Sequence, residues 1–289
     1  MAGTLFGMTI YLNSVVTLNG AIYTRLLSSP GALTFTLWFQ IWRVARYKTK
    51  TGRFFPKEAT LLFDETSGNF EKLRLLAILI EGVFQFINFA LAMATLQFAY
   101  YAEINQGVVT CIFASESLFV GLLTFVFQNE RLNAYQIIGM LVLVLCVVSM
   151  GLSDLIISET SYVPPSERIT PAIPILIGIG TTMCFATRLY SARYFSKRFN
   201  VQAMHITANA AIIIEPLLTI VTISLILSGT FFEFSNAEVP VRAYFAGLAG
   251  GLGAVCLTQA VAIGRAGPAA SLALLQTPIA VILNAFIER

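Results

Sequence analysis

The chain alternates long apolar runs with short polar breaks. Nine runs stand out: Thr4–Tyr23, Gly31–Tyr47, Leu75–Tyr100, Gly107–Phe127, Tyr135–Leu152, Ile173–Tyr190, Met204–Leu227, Tyr244–Gly264 and Ala266–Ile287. Each is close to the ~20 residues with which an α-helix crosses ~30 Å of hydrocarbon. A transmembrane barrel would alternate polar and apolar residues over ~10-residue segments. The blocks here are continuous, so they predict an all-α integral membrane protein with about nine membrane-spanning helices. The second run is crowded at its end by Arg43 and Arg46, whose long stems reach toward the headgroups. Connections are short except for residues 48–74. That stretch is polar, mixed in charge, and carries a Phe54-Phe55-Pro56 patch suited to the membrane surface.

Composition agrees. Hydrophobic residues make up 57% of the 289 and charged residues 11%, against about 25% charged in soluble domains. A mean hydropathy of +0.78 is too apolar for a water-facing surface. The net charge of +3 includes no basic tract suited to nucleic acid. Cys111, Cys146, Cys184 and Cys256 fall in four different runs without a CxxC pair, which points to small buried residues rather than a metal or redox centre. The first run has no basic flank before it and reads as a retained helix, not a cleaved signal.

The placement of charge sets an orientation. One set of alternating loops holds Arg43, Arg46, Lys48, Lys50, Arg53, Lys57, Lys72, Arg74, Arg131, Arg193, Lys197, Arg198 and Arg265. The other holds Arg25, Arg168, Arg242 and Arg289. The richer set is expected in the cytoplasm, together with the N-terminus. Which membrane is crossed, plasma membrane or endomembrane, stays open.

The runs also repeat. Gly107 opens a run that ends in Glu130-Arg131, and Gly267 opens one that ends in Glu288-Arg289. The first, third and fourth runs answer the sixth, eighth and ninth, so the period is five helices. An odd period inverts the second copy in the membrane, a plan that secondary transporters use around a midplane substrate site.

Asn105-Gln106-Gly107 through Asn129-Glu130-Arg131-Leu132, followed by Gln136-Ile137-Ile138-Gly139, resembles the EamA repeat of the drug/metabolite transporter superfamily. Gly267-Pro268, Thr277-Pro278 and Glu288-Arg289 resemble its second copy. The resemblance implies two inverted halves, residues 1–153 and 171–289, ten helices, a central cavity, and transport of small polar metabolites such as amino acids, nucleotide sugars or sugar phosphates. Two departures matter. The lysine-rich signature of the sugar-phosphate branch is missing, which leaves the substrate class open. The sequence also stops at Glu288-Arg289, where a tenth helix is expected; either the gene continues or a neighbouring chain supplies that helix.

Ionisable groups within spans cost ~2.5–3.5 kcal/mol each at mid-helix on insertion scales, so each needs a reason. Glu81, Gln85 and Asn88 are spaced i, i+4, i+7 and share one helical face, as the wall of a cavity or a hydrogen-bonded seam. Glu116 lies mid-span between Ser115 and Ser117. Glu215 precedes Pro216 and could satisfy the break that proline makes. Arg188 sits near the cytoplasmic end of its span, at the depth of Glu81. An unpaired Glu and an unpaired Arg at one depth would each be costly, so the two are expected to pair. Gln259 and Gln276 lie in the second half's central spans, as ligands or as helix–helix glue. Asn13 is a weaker candidate, His205 reads as interfacial, and Gly247 and Gly251 form a small-xxx-small seam.

With one histidine there is no zinc-ligand cluster and no Ser/His/Asp set. No enzyme activity, cofactor or metal is expected. The expected function is secondary transport of a small polar metabolite by alternating access. Glu81, Gln85, Asn88, Glu116, Arg188, Gln259 and Gln276 would line the substrate site, and Glu116 or Glu215 would carry any coupling proton. Expected partners are that solute, the lipid bilayer, and a dimer or membrane-complex partner. The competing class is a non-transporting membrane subunit or chaperone that keeps the transporter fold.

Overall fold

Where they are described, the apolar runs fold as helices. In the computed structural model the described residues are 21–52, 61–63, 70–104, 115–155, 169–229 and 238–271, with Leu5, Met8, Thr9, Leu12, Val109, Ile112 and Phe113 singly. Among these residues eight helices run in order: α1 Ala21–Thr51, α2 Lys72–Tyr101, α3 Glu116–Gln128, α4 Ala134–Leu155, α5 Ala172–Phe199, α6 Ala203–Leu227, α7 Glu238–Ile263 and α8 Ala266–Ser271. Among the described residues the only β pairing is an isolated antiparallel bridge, Phe63 to Phe70. Among the described residues four stretches, Lys72–Ala99, Ala172–Phe199, Ala203–Leu227 and Val239–Ile263, are long and apolar enough to cross a membrane. Their outer faces carry exposed Leu76, Leu79, Val83, Leu176, Met183, Leu217 and Ile220. So much contiguous apolar surface suits lipid, not water, and the protein fits a membrane-embedded class. Most of the first run, Asn13 included, and Cys111, Gln276 and Glu288-Arg289 fall outside the described residues.

The largest departure from the sequence reading is α1. It begins ten residues before the expected second span and runs through Pro30. A proline inside a helix frees the carbonyl four residues earlier, here that of Leu26. That oxygen accepts from Ser29 Oγ at 2.8 Å and from Thr222 Oγ1 of α6 at 2.7 Å. Two hydroxyls thus replace the lost bond and the helix continues. The α3 and α5 helices stop at Asn129 and Asn200, both left-handed with φ of 51° and 52°. Asparagine tolerates that conformation better than most residues, and the turn at Asn129 aims Glu130 back at the bundle.

Packing fixes the relative directions. On α1 and α7, Gly31 lies against the Tyr244 carbonyl and Gly247 against the Ser28 carbonyl, while Gly251 meets the Phe35 ring further along. The two helices are therefore parallel and cross backbone to backbone through glycines. The α2 helix runs antiparallel to α5, with Glu81 on Arg188 and Thr95 on Thr181. It runs parallel to α6, since Ile78 shares a cluster with Ile206 and Gly82 faces Ala210 and Ile214. The α3 helix packs on α5 and α8 around Val120, Ala186, Leu189 and Ala270.

Candidate functional site

One face of α2 carries Arg74, Ile78, Glu81, Gln85, Asn88 and Thr95 at heptad spacing, which keeps them in register toward α5 and α6. Near one end, Arg188 Nε donates to Glu81 Oε1 at 2.8 Å, and both side chains are almost fully buried, 5% and 1% exposed. Thr207 Oγ1 of α6 donates to the same oxygen at 3.3 Å. Near the other end, Thr95 and Thr181 join their hydroxyls at 3.2 Å. Fourteen residues separate Glu81 from Thr95, about 21 Å of helix.

Between these ends the seam holds polar atoms that lack protein partners. Glu81 Oε2, Gln85 Oε1, Asn88 Oδ1, Glu116 Oε1 and Arg188 Nη2 are all buried without a hydrogen bond among the described residues. Such groups ordinarily find a partner, a water or a ligand. Glu116 opens the first turn of α3, where the helix dipole favours a carboxylate, and it lies within electrostatic reach of Arg188. Arg188 is therefore bonded to one carboxyl group and within electrostatic range of a second. The Arg188 guanidinium also sits 5.6 Å from the Phe185 ring centroid.

The other expected residues go elsewhere. Gln259 Oε1 accepts from the Met204 backbone N–H at 3.0 Å, capping the first turn of α6. It joins α7 to α6, as helix–helix glue does. Glu215 is buried at 1% exposure in α6, next to Pro216 and two turns beyond Thr207. Its backbone carbonyl accepts from Thr219 Oγ1 at 2.7 Å. His205 packs against Phe39 at 5.9 Å between ring centroids. Cys184 and Cys256 are free thiols, and no group of metal-ligating side chains forms among the described residues.

Three residues were not read as site residues from the sequence. Thr207 is a ligand of Glu81. Arg193, counted as a loop cation, is 5% exposed. Its Nη2 pairs with Glu130 Oε2 at 3.0 Å and its Nη1 donates to the Val261 and Gly264 carbonyls at 2.8 Å each. Arg74 is 7% exposed and donates to the Phe63 carbonyl at 3.0 Å. A charge count treats every terminal arginine as solvated, so it carries no signal for burial. No protein-family model matches the chain, and no curated protein does.

Proposed function

We propose that the chain is a secondary transporter of a small polar solute, with the seam between α2, α5 and α3 as its site. The observation that carries this reading is the set of unpartnered buried atoms along that seam. A purely structural ion pair needs only Glu81 and Arg188. It does not need a second carboxylate, two amide oxygens and a free guanidinium nitrogen held beside it, each costing roughly 1–3 kcal/mol while unsatisfied. Four of the five free atoms are acceptors. They suit a solute rich in hydroxyl or ammonium donors, with Arg188 Nη2 as the one open donor.

The packing pattern supports two inverted halves. Exchanging α1 with α6, α2 with α7 and α3 with α8 maps the observed pairs onto one another: α1–α7 onto α6–α2, α1–α2 onto α6–α7, and α1–α6 and α3–α8 onto themselves. The exchange also reverses direction, as inversion requires, and the ion pair joins one half to the other. Such an arrangement suits rocking of the halves around a central site.

The test is uptake into proteoliposomes from a panel of sugars, polyols, amino acids, amines, nucleotide sugars and sugar phosphates, with and without a pH gradient. Saturable flux of at least one solute, lost in Glu116→Gln or Arg188→Ala protein of normal fold, is the expected result. No flux of any member by well-folded protein would refute transport and favour a non-transporting subunit.

A further inference from the structure

One face of α1 turns away from the bundle. Its inner positions, Gly31, Ala32, Phe35, Thr36 and Phe39, are buried. Its outer positions, Leu37, Trp38, Ile41 and Trp42, are exposed, Trp38 by 58% and Ile41 by 68%. One and two turns past Trp42 the same face changes to Arg46 and Lys50, with Lys48 beside them, all exposed.

The depth of that change is fixed by the neighbouring helices. Gly251 of α7 lies against Phe35, and Val255 clusters with Phe39, so α1 and α7 advance in step. Carried on at that step, Arg46 comes level with the last turn of α7, whose membrane-length stretch ends at Ile263. Lys48 and Lys50 lie past it. The α6 helix gives the same level from the opposite direction. Ser29 meets Thr222, and Gln40 meets Asn209, so Arg46 comes level with Ala203 and Met204, where the stretch Ala203–Leu227 begins. Hydrocarbon gives way to headgroups where such stretches start and stop, and tryptophan, with an apolar body and one N–H, suits that boundary. The Arg46 guanidinium lies 5.3 Å from the Trp42 ring centroid, which holds it at the border between the apolar and the basic part of the face. The charge there has one sign: α1 contains no acidic residue, and the first in the chain is Glu58.

We propose that this end of α1 binds an anionic phospholipid, its headgroup against Arg46, Lys48 and Lys50 and an acyl chain along Leu37, Trp38, Ile41 and Trp42. Phosphate oxygens accept charge-assisted hydrogen bonds from guanidinium and ammonium groups. Each cation near an anionic lipid surface strengthens attachment about fivefold, so three at one level select a negative headgroup over a zwitterionic one. The site is separate from the Glu81–Arg188 seam and independent of any transport activity.

Trp38 and Trp42 are the only tryptophans of the chain, so their fluorescence reads this face alone. The full chain is reconstituted in phosphatidylcholine bilayers in which a small fraction of the lipid is replaced by brominated phosphatidylglycerol or by brominated phosphatidylcholine, whose bromines quench tryptophan on contact. The anionic lipid is expected to reach half-maximal quenching at a mole fraction at least about tenfold lower than the zwitterionic one, and molar salt is expected to shrink that ratio. Arg46→Gln combined with Lys48→Gln and Lys50→Gln, three exposed positions, is expected to bring the ratio to within about twofold. Lys197→Gln with Arg198→Gln, at exposed cations of α5 near the same end, is expected to leave it unchanged. Equal quenching by the two lipids in the parent, or an undiminished ratio in the triple variant, would overturn the site. An equal loss in the α5 variant would overturn it too, because the preference would then belong to the whole charged end. If the triple variant does not purify as monodisperse protein, Lys50→Gln alone, in the last turn of α1, is expected to lower the ratio about three- to fivefold, and no change there would count against the site in the same way.

Discussion

Removing one partner of the Glu81–Arg188 pair is the sharpest perturbation of this fold. Both side chains are buried, 1% and 5% exposed, and meet at 2.8 Å. In Arg188→Met the Glu81 carboxylate keeps only the Thr207 hydroxyl at 3.3 Å. Breaking a buried pair in this way costs ~3–5 kcal/mol, because the remaining charge is uncompensated. In Glu81→Gln, Arg188 loses its bonded counter-ion but keeps the longer-range field of Glu116, so the cost falls toward the lower end of that range. The double variant buries neither charge at this contact. It is expected to be more stable than the sum of the single losses by ~2–3 kcal/mol, within the range of coupling measured between contacting residues. At ~2–4 °C per kcal/mol for chains of this order of size, Arg188→Met should unfold ~6–20 °C below the parent in detergent, read by tryptophan fluorescence. Transport, where measured, should follow the same less-than-additive pattern. Strict additivity within ~0.5 kcal/mol, or an Arg188→Met protein as stable as the parent, would refute the reasoning that the pair is a coupled buried unit.

Three further outcomes test the packing around the site. Gly247→Ala places a Cβ 1.9 Å from the Ser28 carbonyl oxygen and 2.9 Å from the Ala32 nitrogen, so α1 and α7 must part; it should cost ~1–3 kcal/mol in thermal stability, whereas Gly139→Ala, with open space at its Cβ, should gain ~0.5–1 kcal/mol. Gln259→Ala removes the α6 cap and should cost ~1 kcal/mol, read as a lowered unfolding temperature; an unchanged unfolding temperature would show that this bond does not hold α7 to α6. Arg193→Ala strands Glu130 and two carbonyls of the α7 terminus and should destabilise by ~3–5 kcal/mol, with Arg193→Lys recovering only part, since one ammonium cannot reproduce the planar fork; full recovery by lysine would show that charge alone matters there.

What the sequence disclosed follows from which signals are local. Continuous apolar runs disclose helices, and the described ends of α2, α4 and α6 fall within three residues of the runs. The Glu81–Arg188 contact was legible because a charge in a span must be paired, and these two sat at one depth. Thr207 was not legible: a threonine in a helix looks alike whether its hydroxyl bonds its own backbone or a carboxylate on another helix. The continuation of α1 through Pro30 hangs on Thr222, which is 196 residues beyond the carbonyl it satisfies, so every local rule reads a break. Gln259 was drawn into the site by its polarity and its span. The structure gives it the Met204 N–H, a demand made by the start of another helix. Arg74 and Arg193 were read as topology markers, because counting charges by loop discards the side chain's reach back into the bundle.

Two of the three arginines of α5 bear on which mouth of the seam is the tighter. Arg188 and Arg193 are five residues apart, about 7.5 Å of rise, and each binds a carboxylate from earlier in the chain, Glu81 and Glu130. Arg193 also ties down the end of α7, and Leu61 packs with Ile78, Ile206 and Ala210 at the neighbouring junction. At the opposite end the α2–α5 seam is held by the Thr95–Thr181 hydroxyl pair. A neutral hydrogen bond contributes ~0.5–1.5 kcal/mol net, while breaking a buried ion pair costs ~3–5 kcal/mol. The seam is therefore fastened harder at the 48–74 end than at the Thr95 end. Under the transport reading, a solute entering from the Thr95 side parts this neutral hydroxyl pair before it meets Asn88, Gln85 and Glu116. Under the same reading, a solute leaving at the other side draws Arg188 away from Glu81 by offering the carboxylate a donor in exchange. Under the transport reading, that exchange is the step that couples binding to opening of the tighter mouth.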